Sequence, residues 1–484
     1  MRNLSKTIPL LPLAVFFIIA LDYRLSTQLF PEYHLYDIKR ILEVVLLLYG
    51  GLYLLISFRG RYAWLELYNR FPDKVRLIIL SIFALGIFSA LLAPVPRMAL
   101  LTVAQFFLIF CFMLFIAMKR VTIGVLADRF IIFIVILGVA VYEIVYFSGY
   151  LSTLLTSDKF NYFLGFVNSR FLAQYQGWAL PLVTLPIFLV TGKRPLIRKG
   201  ITGLTYVIAS LFWAIAIMNA CRGMFLGLLV AGIFTGLVFQ RASKHWLIVQ
   251  IQVITIGFIF YLLFTLITPH TINVAGKILN TESVFQRFTL WKHTIYLIFT
   301  HPLLGVGPMH LCYYPNPIAT HPHNSLLQIA SECGLPVLLL VLILSIYGLI
   351  SWLKKFNYKT LSNTEISNRV IPIALTASLI TASCHSLFSG ILIMPMSQVM
   401  LGVVVGWMLG VYYAGQKEHV LKHRLVAEVI FSLFICLAMI EIIWGVIPEV
   451  FFLRPLEIKW VLDHRIGNEP LLFHPNFWIQ GWIY

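Results

Sequence analysis

Charge is scarce in this chain. Lys, Arg, Asp and Glu together make 11% of its 484 residues, where an ordinary soluble domain holds about 25%. Acidic residues are the rarer kind, 19 against 36 Lys and Arg. With 60% of the residues apolar, a water-soluble fold would leave large greasy patches exposed, so soluble globular classes are excluded. Cysteine is sparse too. The six residues at 111, 221, 312, 333, 384 and 436 show no C-x-x-C or other metal-ligand spacing. There is no internal repeat, no low-complexity tract and no Pro-rich linker. The net charge of +17 is scattered between apolar runs, with no aromatic-basic stripe. It speaks against nucleic acid and for topology control and attraction to anionic membrane lipid.

What is present is apolar length. Runs long enough to cross a bilayer, or nearly so, recur at about 8–22, 41–57, 77–93, 98–118, 130–149, 173–191, 201–218, 223–240, 247–267, 335–352, 371–390, 397–414 and 425–447. The expected fold is an all-α polytopic membrane bundle of about 12–14 transmembrane helices. Arg2 and Lys6 precede the first run, but no small-x-small cleavage pattern follows before Asp22, so that run is expected to be retained as a helix. With the N-terminus inside, the inner loops hold about 23 of the 36 Lys and Arg. Lys193-Arg194-Pro195-Leu196-Ile197-Arg198-Lys199 is the clearest of them. Four units follow: N-terminal helices over 1–267, an outward loop over 268–333, C-terminal helices over 334–447, and an interfacial tail over 448–484 rich in Trp, Phe and Pro. Cys312 and Cys333 share the outward loop and could pair in an oxidising compartment.

That loop is more than a tether. Across Ser283–Thr300 the apolar Phe288, Trp291, Ile295 and Phe299 recur at helical spacing, with Arg287 one turn before Trp291. The spacing predicts an amphipathic helix near the membrane surface. His301-Pro302-Leu303-Leu304-Gly305-Val306-Gly307-Pro308 must stop it. In Thr320-His321-Pro322-His323-Asn324, Thr320 fits an N-cap and Pro322 a first helical turn. A helix starting there places Asn324, Gln328 and Glu332 on one face and both histidines at the positive end of the dipole, which keeps an imidazole neutral and able to take a proton. Histidines at i, i+2 of a helix point apart, and no third ligand is evident, so no metal is expected. Arg222 sits at an outer membrane boundary, where an unpartnered charge is costly. Arg170 and Arg287 lie on the same side. The planar guanidinium suits phosphate, and three of them could hold a diphosphate. His385 lies near the outer end of an apolar span and reads equally well as a buried structural histidine.

Several pieces now line up. Arg-x-x-x-Trp (Arg287 to Trp291), His-Pro-Leu-Leu-Gly-Val-Gly (His301–Gly307), His-Pro-His-Asn-x-x-Leu-Gln (His321–Gln328) and Glu-x-Gly (Glu332–Gly334) resemble, as an ordered set, the O-antigen ligase and polymerase superfamily. Cys221-Arg222-Gly223 is similar to that family's Ser-Arg-Gly, with Cys in place of Ser. Phe166–Phe171 with Leu180-Pro181-Leu182, and His385-Ser386-Leu387, resemble its flanking segments. The resemblance implies a GT-C-like inner-membrane glycosyltransferase that moves a glycan from undecaprenyl diphosphate on the periplasmic face, without a nucleotide sugar or other cofactor. It implies His323, or else His321, as general base, and Arg222 and Arg287, with Arg170, on the diphosphate. Acceptors among members are the lipid A core, another glycan repeat or a protein side chain. Ligation to the lipid A core is the first expectation, with a polymerase or protein O-oligosaccharyltransferase on the same scaffold as the alternative. A lipid-linked sugar transporter or flippase is the reading from another class. It calls for paired broken helices and mid-membrane ionisable groups, neither of which is clear in the sequence.

Overall fold

The computed structural model describes residues 6–156, 161–190, 194–267, 282–314, 318–415, 424–463 and 476–479. Every regular element among them is helical, in keeping with an all-α membrane bundle. In chain order the helices are α1 (Leu11–Leu21), α2 (Tyr23–Leu29), α3 (Leu35–Ile56), α4 (Phe58–Asn69), α5 (Asp73–Leu91), α6 (Pro96–Ile123), α7 (Val125–Thr156), α8 (Ser169–Ala179), α9 (Leu185–Leu189) and α10 (Pro195–Asn219). Then come α11 (Arg222–Phe239), α12 (Lys244–Ile267), α13 (Glu282–Thr300), α14 (Ser325–Cys333), α15 (Leu335–Lys355), α16 (Tyr358–Ser362), α17 (Ile366–His385), α18 (Pro395–Tyr413) and α19 (Arg424–Asp463).

Among the described residues ten helices are long and apolar enough to cross a membrane, or eleven if the first apolar run and α2 form one span bent by 96°. The count falls below the expected 12–14 for local reasons. The first helix stops at Asp22, whose carboxylate caps α2 by accepting from the amides of Arg24 and Leu25. α3 has the length of a span, but Asp37, Lys39, Arg40 and Glu43 crowd its first half. The run expected at 173–191 breaks after Ala179 and leaves α9 only five residues long. Pro181 and Pro186 lack the N–H that a continuing helix needs.

Close helix packing is built on glycine. A Cβ at Gly402 of α18 would lie 2.6 Å from the Phe112 ring, at Gly406 2.6 Å from the Met113 carbonyl oxygen, and at Gly410 2.4 Å from Arg120 Cβ. The three stand one turn apart, the small-x-x-x-small pattern that lets membrane helices approach backbone to backbone. Gly227 of α11 meets the carbonyl of Thr381 in α17 in the same way, at 2.6 Å.

α13 is the amphipathic helix that the spacing predicts. It buries Leu290, Thr294 and Leu297 and exposes Phe285, Phe288, Tyr296 and Phe299, as suits a helix laid on a bilayer. Of the loop expected over 268–333, residues 268–281 and 315–317 lie outside the described residues. Of the tail expected over 448–484, residues 448–463 continue α19, 464–475 and 480–484 lie outside the described residues, and Phe477, Trp478 and Ile479 are buried in the bundle.

Candidate active site

After α13 the chain must turn sharply, and glycine makes the turn. Gly305 and Gly307 have φ of 68° and 108°, and Gly334 has 89°. A Cβ on Gly305 would lie 2.4 Å from the carbonyl carbon of Glu332, and one on Gly334 2.2 Å from the Leu303 oxygen. The amide of Val306 donates to Ser331 at 2.8 Å, Gly307 to Glu332 at 2.9 Å, and Leu335 to Pro302 at 2.8 Å. The stretches His301–Gly307 and Glu332–Gly334 are therefore two sides of one backbone seam. The Ser89 hydroxyl of α5, within reach of the carbonyls of Leu304 and Glu332, fastens the seam to the bundle.

The histidine loop differs from its expected geometry. α14 begins at Ser325, and its N-cap is Asn324 rather than Thr320. The Asn324 side-chain oxygen accepts from the amides of Leu326 at 3.0 Å and Leu327 at 3.1 Å. His323, at φ 53°, is left-handed and cannot belong to a helical turn. The expectation that His321 and His323 sit in the first turn and point apart is thus corrected. Their rings meet edge to face, with centroids 4.3 Å apart. Asn324 likewise leaves the helical face it was expected to share with Gln328 and Glu332. Those two remain one turn apart, and Gln328 Nε2 donates to Glu332 at 3.3 Å. Burial pushes the Glu332 carboxyl up to about 7, against the lowering influence of the Met309 backbone, Gln328 and the Leu311 backbone.

Three contacts hold the loop. Trp291 Nε1 of α13 donates to the Pro322 carbonyl at 2.8 Å. The Ser325 amide donates to Ser386, just past α17, at 2.9 Å. His321 lies on Gly390, where a Cβ would come within 2.6 Å of Nε2.

The arginines arrive from three helices. Asn168 caps α8 by accepting from the amides of Arg170 and Phe171, which places Arg170 at the helix start. Arg222 opens α11 after a left-handed Ala220. The preceding Asn219 donates to Ser169 at 2.9 Å and to Gln176 at 3.2 Å, joining the two helix starts. His385 closes α17. Its Nε2 is 3.6 Å from Cys221 Sγ, and its ring fills the space a Cβ on Gly223 would need, 2.9 Å away.

The charges act on one another. Burial and then the neighbouring Arg170 and Arg222 push Arg287 down to about 10. Burial, with Arg222, also lowers Arg170. His323 falls well below the ordinary imidazole value, first through burial and then through His321, Arg170 and Arg287. Among the described residues neither Arg170 nor Arg287 forms an ion pair, and no protein group hydrogen-bonds His323 Nδ1 or Arg287 Nε. The arrangement combines a neutral imidazole with several guanidiniums and few acidic counter-charges, which suits an anionic ligand.

Residues 207–342 match the family model described as O-Antigen ligase. The match covers 207–342 and supports the likeness of the chain to the O-antigen ligase and polymerase superfamily. A comparison with curated proteins finds no match. The stretch matched to the O-antigen ligase family holds Arg222, Arg287, Trp291, His321, His323, Asn324, Gln328 and Glu332. Arg170 and His385 lie outside it, and the fold brings them alongside.

Sequence reasoning passed over three participants. His310 is fully buried. Its Nδ1 donates to Pro308 at 2.8 Å, which leaves Nε2 to accept from the Val95 amide at 3.1 Å, so it bolts the loop to the α5–α6 turn. Gly390 is the shelf under His321. Ser389 accepts from Gln174 of α8 at 2.7 Å. Only the nearness of Gly390 to the His385 segment hinted at any of them. Cys312 and Cys333 stand as free thiols rather than a disulfide. Among the described residues no group of three or more His, Cys, Asp or Glu side chains is placed to hold a metal.

Proposed function

We propose that this protein transfers a glycan from undecaprenyl diphosphate to an acceptor hydroxyl on the periplasmic face of the inner membrane, with the lipid A core as acceptor. One observation carries the reading: His323, with its unpartnered Nδ1, stands within electrostatic reach of Arg170 and Arg287, and neither arginine has an ion pair among the described residues. A sugar hydroxyl is a weak nucleophile. A neutral imidazole within hydrogen-bond reach takes its proton as the new bond forms. The acceptor oxygen bonds to the anomeric carbon, the bond from that carbon to the diphosphate breaks, and the electron pair leaves with undecaprenyl diphosphate. Arg222, Arg287 and Arg170 meet the charge that grows there, and so favour the transition state over the ground state. A single displacement inverts the anomeric centre. Trp291 and Asn324 hold the base, while Gln328 and Glu332 brace the seam behind it. His385 keeps Arg222's turn against α17.

Sidedness follows the basic inner loops. The site then lies at the outer end of the bundle, where α10 ends and α11 begins. A transporter would hold its substrate nearer the midplane.

The test is complementation of a Gram-negative strain that lacks its own O-antigen ligase, read by staining lipopolysaccharide. Long-chain lipopolysaccharide restored by the wild type and lost with His323→Ala or Arg287→Ala supports the ligase and these roles. No restoration, with carrier-linked glycan accumulating, moves the acceptor to a glycan repeat or a protein. Restoration that survives both substitutions removes the site assignment.

A further inference from the structure

Arg40 is 1% exposed, deep in the first half of α3. Its guanidinium can make five N–H donations, and its partners come from four parts of the chain. On its own helix it meets Glu43 at 2.5 Å and the Tyr36 hydroxyl at 3.2 Å. From the turn before α18 it takes the Ile393 carbonyl, and from α18 the Gln398 side chain. From Asn476–Ile479 it takes the carbonyl of Phe477 at 2.9 Å and that of Asn476 at 3.3 Å. The same short segment is gripped at further points. Tyr36 donates to Asn476, Ile479 donates its amide to Asp37 at 2.8 Å, and Trp478 donates to Glu449.

The turn that Arg40 holds is the one under the histidines. Gln398, fixed by Arg40, donates to Leu392 at 2.7 Å. The amides of Ile393 and Met394 reach back to Gly390 at 3.1 and 3.3 Å. Gly390 carries His321, and His321 packs on the edge of His323. Ser389, beside it, holds Gln174 of α8, the helix that Arg170 begins. A path of direct contacts, through the Gln398 side chain and the Ser389–Met394 turn, therefore runs from the guanidinium to the imidazoles.

We infer that Arg40 is a positioning residue for the His321–His323 loop, acting through the Ser389–Met394 turn, and that Asn476–Ile479 is the part of this chain that completes its socket. The inference rests on the transferase reading only for its effect on rate. The coupling itself is a statement about geometry. Without the segment a buried guanidinium would lose the carbonyl that Nε bonds, and a buried charged donor left unmet is strongly disfavoured. The side chain would shift toward other acceptors and slacken the turn.

The test uses the full chain in detergent, as wild type, Arg40→Gln and Ile479→Pro. The second variant removes the amide donation to Asp37 and the buried Ile479 side chain, restrains Trp478 before it, and touches no site residue. The label is diethyl pyrocarbonate on His321, read by mass spectrometry against the exposed His301. His321 is 2% exposed, so it labels slowly in the wild type. Both variants are expected to label it on the order of tenfold faster, as local opening is made easier. In transfer assays kcat falls by a similar factor while KM for the lipid-linked donor changes less, because Arg222 and Arg287 stand off this path. Labelling of His321 unchanged in variants that keep a cooperative thermal transition overturns the inference. If Arg40→Gln does not fold, Ile479→Pro decides the matter. If the label responds but the wild type transfers no glycan, the coupling stands and the transferase reading falls.

Discussion

A histidine at φ 53° carries a conformation that few side chains accept. At His323 it is held from two sides, by the Asn324 cap and by the Trp291 bond to Pro322. Trp291→Phe keeps an aromatic ring, though a smaller one, and deletes that bond. It is expected to cost about 1 kcal/mol of stability and roughly tenfold in kcat, since a small misplacement of a reacting group is expensive; denaturation curves and initial rates check the two. The pH profile follows from the depressed basicity of His323. A lowered pKa means the ring is neutral, and able to act as a base, at every pH above a value that itself lies below 6.5. The rate is therefore expected to be level from about pH 6.5 to 8 and to fall only as pH drops through the depressed value. Arg287→Ala removes a positive charge and admits water, and each change raises the His323 pKa. The acid limb of kcat/KM against pH should move to higher pH, with a loss on the order of 10²–10³ at pH 7.5. An acid limb that stays put would separate Arg287 from the base.

Among the elements, the seam between His301–Gly307 and Glu332–Gly334 has no room for one more carbon. Gly305→Ala meets both a disfavoured φ and a backbone carbon at 2.4 Å. The seam is expected to open, seen as faster hydrogen exchange at Val306 and Gly307 while the spans stay protected. Glu332 gives the seam a pH dependence of known sign. Its folded pKa of about 7 lies above its ordinary 4.5, so stability is full below about 4.5, declines as pH rises, and levels off above about 7. Glu332→Gln should flatten thermal stability across that window. Between α6 and α18, Gly406→Leu drives a side chain into Met113, and a loss of about 1–3 kcal/mol or outright misassembly is expected in thermal unfolding.

On the scale of the whole molecule, the spans were legible because a bilayer demands apolar length, and length can be counted. What hydropathy misses is whether the hydrogen-bond ladder can continue, which is why the run with Pro181 and Pro186 looked like one unbroken helix and is two short ones. The surface helix with Arg287 and Trp291 was legible from a different signal, the helical spacing of its apolar residues. The start of α14 was not, since Thr320 and Asn324 both make plausible caps and the choice turns on the conformation of His323. That Arg170, Arg222 and Arg287 share one side of the membrane was legible from the topology, but their approach to one another, and that of Arg170 and Arg287 to His323, was not. No spacing rule ties Ser169 to Asn219 or Ser325 to Ser386. The Arg40 socket was hidden altogether, because half of its acceptors are backbone carbonyls, which every residue has, and the rest lie far apart in sequence or on its own helix.

Arg40 and Phe477 are separated by 437 residues. At a synthesis rate of about 5–20 residues per second, roughly 20–90 s pass between the appearance of the guanidinium and the arrival of the carbonyl that Nε bonds. During that interval the other helices are already being made, with one buried cation still short of its full set of acceptors. A chain interrupted before Asn476 leaves that buried guanidinium without two of its carbonyl acceptors, within contact distance of the turn that carries His321.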